Sequence, residues 1–251
     1  MTSRARKTAD RQVSAWARLN ADIMACERCP RLRKHCLDIA REKRSAYREW
    51  TYWGRPVPNF GDPAARLLIV GLAPAAHGGN RTGRVFTGDR SGDWLFRALH
   101  RAGFANQPNA THVADGLELH DCAITATCHC APPENKLTPA EIRACAPFFQ
   151  RTFDELPIRV IVALGQIAWR SIIAEARARA WHSGPMPKFA HAALHPLAEG
   201  RWLLGSYHPS QQNTFTGKLT EPMFDAVFSR ARDLLARPDE ACQATGARAP
   251  R

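Results

Sequence analysis

Arg66-Leu67-Leu68-Ile69-Val70-Gly71 is a short, continuous apolar run closed by a glycine, and it reads as a parallel strand buried on both faces. Three further runs, residues 122–125, 160–164 and 202–206, have the same character. Helical periods separate them. Residues 91–102 place Leu95, Phe96 and Leu99 on one face ahead of Gly103, a helix stop. Thr138, Pro139 and Glu141 combine a cap, a first-turn proline and a capping-box acid before Ile142, Cys145 and Phe149. Residues 166–178 and 221–235 complete the set, and Val13, Trp16, Leu19 and Ile23 give residues 10–25 the spacing of an N-terminal amphipathic helix. Strands alternating with helices predict an α/β fold, a three-layer α/β/α sandwich around a central four-stranded, mostly parallel sheet. One domain is expected over residues 1–236, with residues 237–251 a mobile tail.

Composition narrows the partners. The chain has 251 residues, 45% of them apolar, enough for one sizeable core. Lys and Arg total 35 against 23 Asp and Glu, a formal charge of +12, which attracts polyanions and makes nucleic acid the leading partner. An arginine-rich proteome would give many basic enzymes the same balance. No run of about 18 apolar residues exists to span a membrane, and the basic, polar start has no apolar stretch behind it, against a secretory signal. A cytoplasmic location follows. There, eight cysteines point away from a disulfide framework and towards metal or cluster ligation.

Open α/β sheets bind ligands beyond the carboxyl ends of their strands, so the loops 71–92, 126–137 and 207–218 should converge on one site. The first is long and glycine-rich, allowing close approach of backbone to ligand. It carries neither the dinucleotide fingerprint nor the Walker pattern, which disfavours a nucleotide cofactor. The last, Ser206-Tyr207-His208-Pro209-Ser210-Gln211-Gln212-Asn213-Thr214-Phe215-Thr216-Gly217-Lys218, is rich in groups that can bond bases and phosphates around one apolar side chain, Phe215. A lone histidine is usually structural, but His208 directly follows a strand.

Gly71-Leu72-Ala73-Pro74, Thr82-Gly83-Arg84-Val85-Phe86, Cys130-Ala131-Pro132-Pro133-Glu134-Asn135 and His208-Pro209-Ser210 together resemble the uracil-DNA glycosylase superfamily. The iron–sulfur branches are nearest, specifically the type B, or family five, enzymes. The likeness runs from about Cys26 to Leu235, with the motifs in the family's order.

The resemblance implies that Cys26, Cys29, Cys130 and Cys145 are the thiolates of a 4Fe-4S cluster. Four thiolates can also hold zinc, although a structural zinc site usually shows a second closely spaced pair. Cys128, in Cys128-His129-Cys130, is the credible substitute ligand. It implies further that Phe86 stacks on a base flipped from the duplex, with Gly71 and Ala73 in the same pocket, and that the Asn135 amide reads the uracil edge. Arg84, Ser210, Gln211, Phe215 and Lys218 become the expected DNA contacts. Where the best-known branch has an aspartate two residues after the first glycine of its first motif, this chain has Ala73. Where family-four relatives have an asparagine four residues before Cys130, it has Ala126. The type B branch shares both losses, and Asp89 is then the replacement for the water-orienting carboxylate, with the rival role of capping the helix near Ser91. The expected activity is monofunctional hydrolysis of the N-glycosidic bond of uracil in DNA, with His208 stabilising the departing base, by a monomer. A cluster-bearing binding module without chemistry and an RNA-modifying enzyme are the rival readings.

Overall fold

The computed structural model describes residues 3–237, with side chains from residue 12 onward, so the expected tail lies, but for Arg237, outside the described residues. Helices α1 (Ser3–Met24) and α2 (Pro30–Glu42) precede β1 (Phe60–Gly61) and β2 (Leu67–Gly71). A short α3 (Gly79–Thr82) and α4 (Arg90–Arg101) lead to β3 (Cys122–Ala126), then α5 (Pro139–Glu155), β4 (Val160–Leu164) and α6 (Gln166–Ala178). The hairpin β5 (Leu194–Leu197) and β6 (Arg201–Ser206), the short α7 (Gln211–Phe215) and α8 (Glu221–Ala236) close the chain.

The sheet order is β1-β3-β2-β4-β6-β5. The four expected strands form its parallel centre, β3-β2-β4-β6. The strand count is corrected from four to six by two antiparallel edges, β1 against β3 and β5 against β6. Alternate residues of β2 face opposite ways. Leu67 and Ile69 pack with Leu95, Phe96 and Leu99 of α4 and Phe224, Val227 and Phe228 of α8. Leu68 and Val70 pack with Trp16, Leu19 and Ile23 of α1, Phe149 of α5, and Trp169 and Ile172 of α6. That is the predicted sandwich, and it explains why the strand is apolar throughout.

The local start signals act as expected. Thr138 Oγ1 accepts the Glu141 amide at 3.2 Å while Glu141 Oε2 accepts the Thr138 amide at 2.8 Å, closing the capping box of α5. Gly103 adopts φ +73 just past α4. No described helix is long and apolar enough to cross a membrane.

Candidate functional site

A recess of about 340 Å³ opens at the carboxyl ends of β2 and β3, beside the segment that leaves β6. Its walls are Ala73, Pro74, Ala75, Val85, Phe86, Asp89 and Ser91 from the first loop, Ala126 from the end of β3, and His208. Both positions that lack the polar groups of other branches, Ala73 and Ala126, are therefore in the wall, and Asp89 is the one carboxylate there.

Phe86 is held with φ at +51, a strained setting for a bulky residue. Its ring lies against Gly71, where a Cβ would meet Phe86 Cε2 and Cζ at 3.1 Å. Gly71 is thus in the site as the gap that lets the ring in. The Phe86 and His208 rings have centroids 5.8 Å apart. Burial pushes the His208 imidazole down to about 4, so it is neutral at pH 7, and its ring makes no hydrogen bond to the described residues.

Asp89 meets both readings at once. Oδ1 accepts the Gly92 amide at 3.0 Å, capping α4, while the carboxylate also lines the recess. A Cβ at Gly78 would collide with Asp89 Oδ2, so the acid is clamped in place. Burial raises its pKa, and the amides of Gly92 and Ser91 act the other way.

The DNA contacts divide. Residues 207–218 are not all loop. Ser210 Oγ accepts the Asn213 amide at 3.4 Å and caps α7, whose exposed face carries Gln211 and ends in Phe215, 67% exposed, under the Arg90 guanidinium at 4.4 Å. Lys218 is exposed, its Nζ 4.8 Å from the Tyr207 ring centre. Arg84, expected to contact DNA, is only 5% exposed and its guanidinium is engaged inside the fold. Its Nη2 donates to Asp115 Oδ2 at 2.6 Å and its Nε to Thr87 Oγ1 at 2.8 Å, and this pairing holds the Asp115 carboxyl down at about 2. Asn135 stands outside the recess lining, exposed, on a turn in which Glu134 and Asn135 have φ of +52 and +57. Its amide makes no side-chain hydrogen bond. Ser91 and Val85 were not singled out from the sequence; the one signal for them was their place beside Phe86 and Asp89.

A second cavity, of about 330 Å³, is lined by Cys26, Cys29, Cys128, Cys130 and Cys145, with Leu32, Arg33, Pro56, His129, Ala144 and Phe148. Burial, then the neighbouring thiols Cys145 and Cys26, raise the Cys29 pKa. Among the described residues no three donors converge as one metal ion would need.

These arrangements can be set against known proteins. The model of the uracil DNA glycosylase superfamily matches residues 58–232, a span that includes the whole recess. Relatives named type-5 uracil-DNA glycosylase include that of Mycobacterium tuberculosis, 51% identical over 219 residues, 86% of this chain and 80% of its own. That of Thermus thermophilus is 48% identical over 213 residues, 84% of this chain and 94% of its own. The type-4 uracil-DNA glycosylase of Sulfurisphaera tokodaii is 29% identical over 127 residues, half of either chain. With the match reaching from β1 through α8 and the motif residues Gly71, Ala73, Phe86 and His208 gathered at one recess, the chain belongs to the uracil-DNA glycosylase superfamily.

Proposed function

We propose that this chain is a monofunctional, base-flipping type-5 uracil-DNA glycosylase that leaves an abasic site and so initiates base excision repair. The observation that carries the reading is the recess itself: an aromatic ring, one half-buried carboxylate and one neutral imidazole whose ring has no hydrogen-bond partner among the described residues, at the carboxyl end of a parallel sheet. Phe86 stacks on the flipped uracil. As the bond between the sugar C1′ and the base nitrogen breaks, its electron pair leaves with the base, and a His208 N–H donates to the carbonyl oxygen on which negative charge grows. The Asp89 carboxylate stabilises the cationic sugar and orients the water that attacks C1′, a role supported by its being the only acid in the wall. The free Asn135 amide reads the base edge once DNA is bound, a closure its unpaired state permits. No lysine lines the recess to form a Schiff base, which supports hydrolysis without strand cleavage.

Exposed Phe215 wedges into the stack where the base leaves, and Ser210, Gln211 and Lys218 contact the strand around it. The net charge of +12 supports steep salt dependence, each phosphate contact adding a slope near about −0.9.

Cys26, Cys29, Cys130 and Cys145 would hold a 4Fe-4S cluster in the second cavity, with Cys128 in reserve. The donor chemistry fits: five thiols, Cys26, Cys29, Cys128, Cys130 and Cys145, line one mainly apolar hollow, and thiolates are the ligands an iron–sulfur cluster takes. Bound there, the cluster supplies a cross-link between residues 26–33 and α5. The reading also includes a cytoplasmic monomer acting as one domain over residues 1–236.

Incubation with duplexes carrying uracil, hypoxanthine or ethenocytosine, followed by abasic-site detection, tests the activity. Free base from none of them would leave a DNA-binding module. Anaerobically prepared protein should hold about four irons; stoichiometric zinc without iron would overturn the cluster.

A further inference from the structure

Residues 43–55, Lys43-Arg44-Ser45-Ala46-Tyr47-Arg48-Glu49-Trp50-Thr51-Tyr52-Trp53-Gly54-Arg55, have no part in the site described above. Four cations and four aromatic rings alternate here against one carboxylate. The segment is a strap between α2 and β1, with a 3-10 turn at Ser45–Tyr47.

The strap is bolted to the first loop. The Trp53 amide donates to Arg81 O and the Gly54 amide to Asn80 O, both at 3.0 Å. Tyr52 Oη and His77 Nδ1 share a hydrogen bond of 3.1 Å. Arg81, itself buried, donates to the carbonyls of His77 at 2.7 Å and Gly88 at 2.6 Å. Its guanidinium lies 3.8 Å from the Tyr47 ring centre and 4.2 Å from that of Trp50. The strap is thus fixed to the loop that carries Phe86 and Asp89, with Arg81 bridging to the residue before Asp89.

This packing accounts for Tyr52, Trp53 and one face each of Tyr47 and Trp50. It leaves Trp50 at 36% exposed, with Arg44, Arg48 and Arg55 exposed and in no ion pair among the described residues. We propose that residues 43–55 form a second DNA-contacting surface, on which a nucleotide flanking the one in the recess stacks against Trp50 while Arg44 and Arg48 hold its phosphates. The proposal rests on the glycosylase reading. Aromatic faces accept any base, and arginines between them meet the backbone that every base brings along. Arg55 already lies over the Trp53 ring at 4.8 Å, but a purely apolar partner would leave Arg44 and Arg48 unmet, whereas a nucleic-acid strand uses both kinds of group.

The test is DNA affinity of the full chain on a non-cleavable uracil duplex, over a range of salt. Trp50→Ala should weaken Kd about tenfold, with Trp50→Phe recovering most of it. Arg44→Ala and Arg48→Ala should each flatten the salt slope by about one. Trimming the duplex on one side of the uracil, then the other, should weaken the wild type in one case and leave Trp50→Ala less affected by that same cut. Should Trp50→Ala lower the melting temperature, the two arginine variants decide, their own melts being checked against the wild type. Kd values and salt slopes matching the wild type in all variants would overturn the proposal. Release of uracil by the wild type scores the earlier reading, and the ratios of variant to wild-type Kd score this one, so the two fail separately.

Discussion

Ala126 and Cys128 stand two residues apart in the chain and line different hollows. In the recess, polar groups are few and held ready: the His208 ring without a hydrogen-bond partner among the described residues, Asp89 clamped beside Gly78, Phe86 strained against Gly71. In the cysteine cavity, donors are crowded and come from separated segments, Cys26 and Cys29, Cys128 and Cys130, and Cys145. On the proposed reading, one hollow positions groups for a substrate and the other gathers thiols that a cluster would tie together. Side chains of similar burial should therefore respond to substitution in opposite ways.

The sharpest contrast comes from Cys29→Ala. If Cys29 is a ligand of the proposed cluster, iron content should collapse and stability should fall by more than about 4 kcal/mol, measured by metal analysis and thermal melts. A melt like that of the wild type would put the cysteine cavity in the same class as the recess. His208→Ala should do the reverse, cutting the single-turnover rate by about two to three orders of magnitude with the melt nearly unchanged. A rate within a few-fold of the wild type would make His208 structural.

Asp89 straddles the comparison, since it both caps α4 and lines the recess. Asp89→Asn keeps an acceptor for the Gly92 amide, so the fold should survive while the rate falls by about a hundredfold. The pH profile adds a check. His208, pushed down to about 4, stays neutral across pH 5 to 8 and contributes no step there. Asp89 has a raised pKa and must be ionised to act, so the wild-type rate should climb with pH through its titration. That limb should vanish in Asp89→Asn; its persistence would assign it elsewhere.

A smaller effect concerns the Arg84–Asp115 pair. Asp115 is held at about 2 in the fold against an ordinary 3.8. A depressed carboxyl stabilises above its unfolded pKa, so about 2 kcal/mol should be present above pH 4 and lost as pH falls towards 2. Urea melts over that window should show the loss in the wild type and lack it in Asp115→Asn. The mildest change is Gly71→Ala, whose methyl would press on the Phe86 ring from 3.1 Å and should lower the rate roughly fivefold. No change in rate would mean that the ring need not sit against the backbone.

Much of this was legible before the fold. The four central strands announced themselves because burial on both faces demands unbroken apolar runs, as in Leu67–Gly71. The edges did not: β1 is two residues long, and Leu194–Leu197 includes Pro196, tolerated because an edge strand leaves one side unbonded. Helix α7 hid inside a polar loop because its one turn is set by the Ser210 cap rather than by an apolar stripe. In the site, the motifs pointed to Phe86 and His208, and the missing carboxylate at Ala73 pointed to Asp89; all three line the recess. Arg84 could not be read, because its burial depends on Asp115, 31 residues further on, and no local pattern announces such a partner. The strap at residues 43–55 did carry a visible signal, rings interleaved with cations, outside the motifs of the resemblance.

The Arg84–Asp115 pair also sets how the sequence can change over time. Both side chains are nearly sealed from solvent, at 6% and 7% exposed, so losing either strands a charge in the interior, whereas losing both for apolar groups of similar shape is often tolerated. Descent through single steps must then pass a deep fitness valley at either position. The two residues are expected to be inherited or exchanged together, although one lies in the motif that marks the family and the other in a loop with no motif at all.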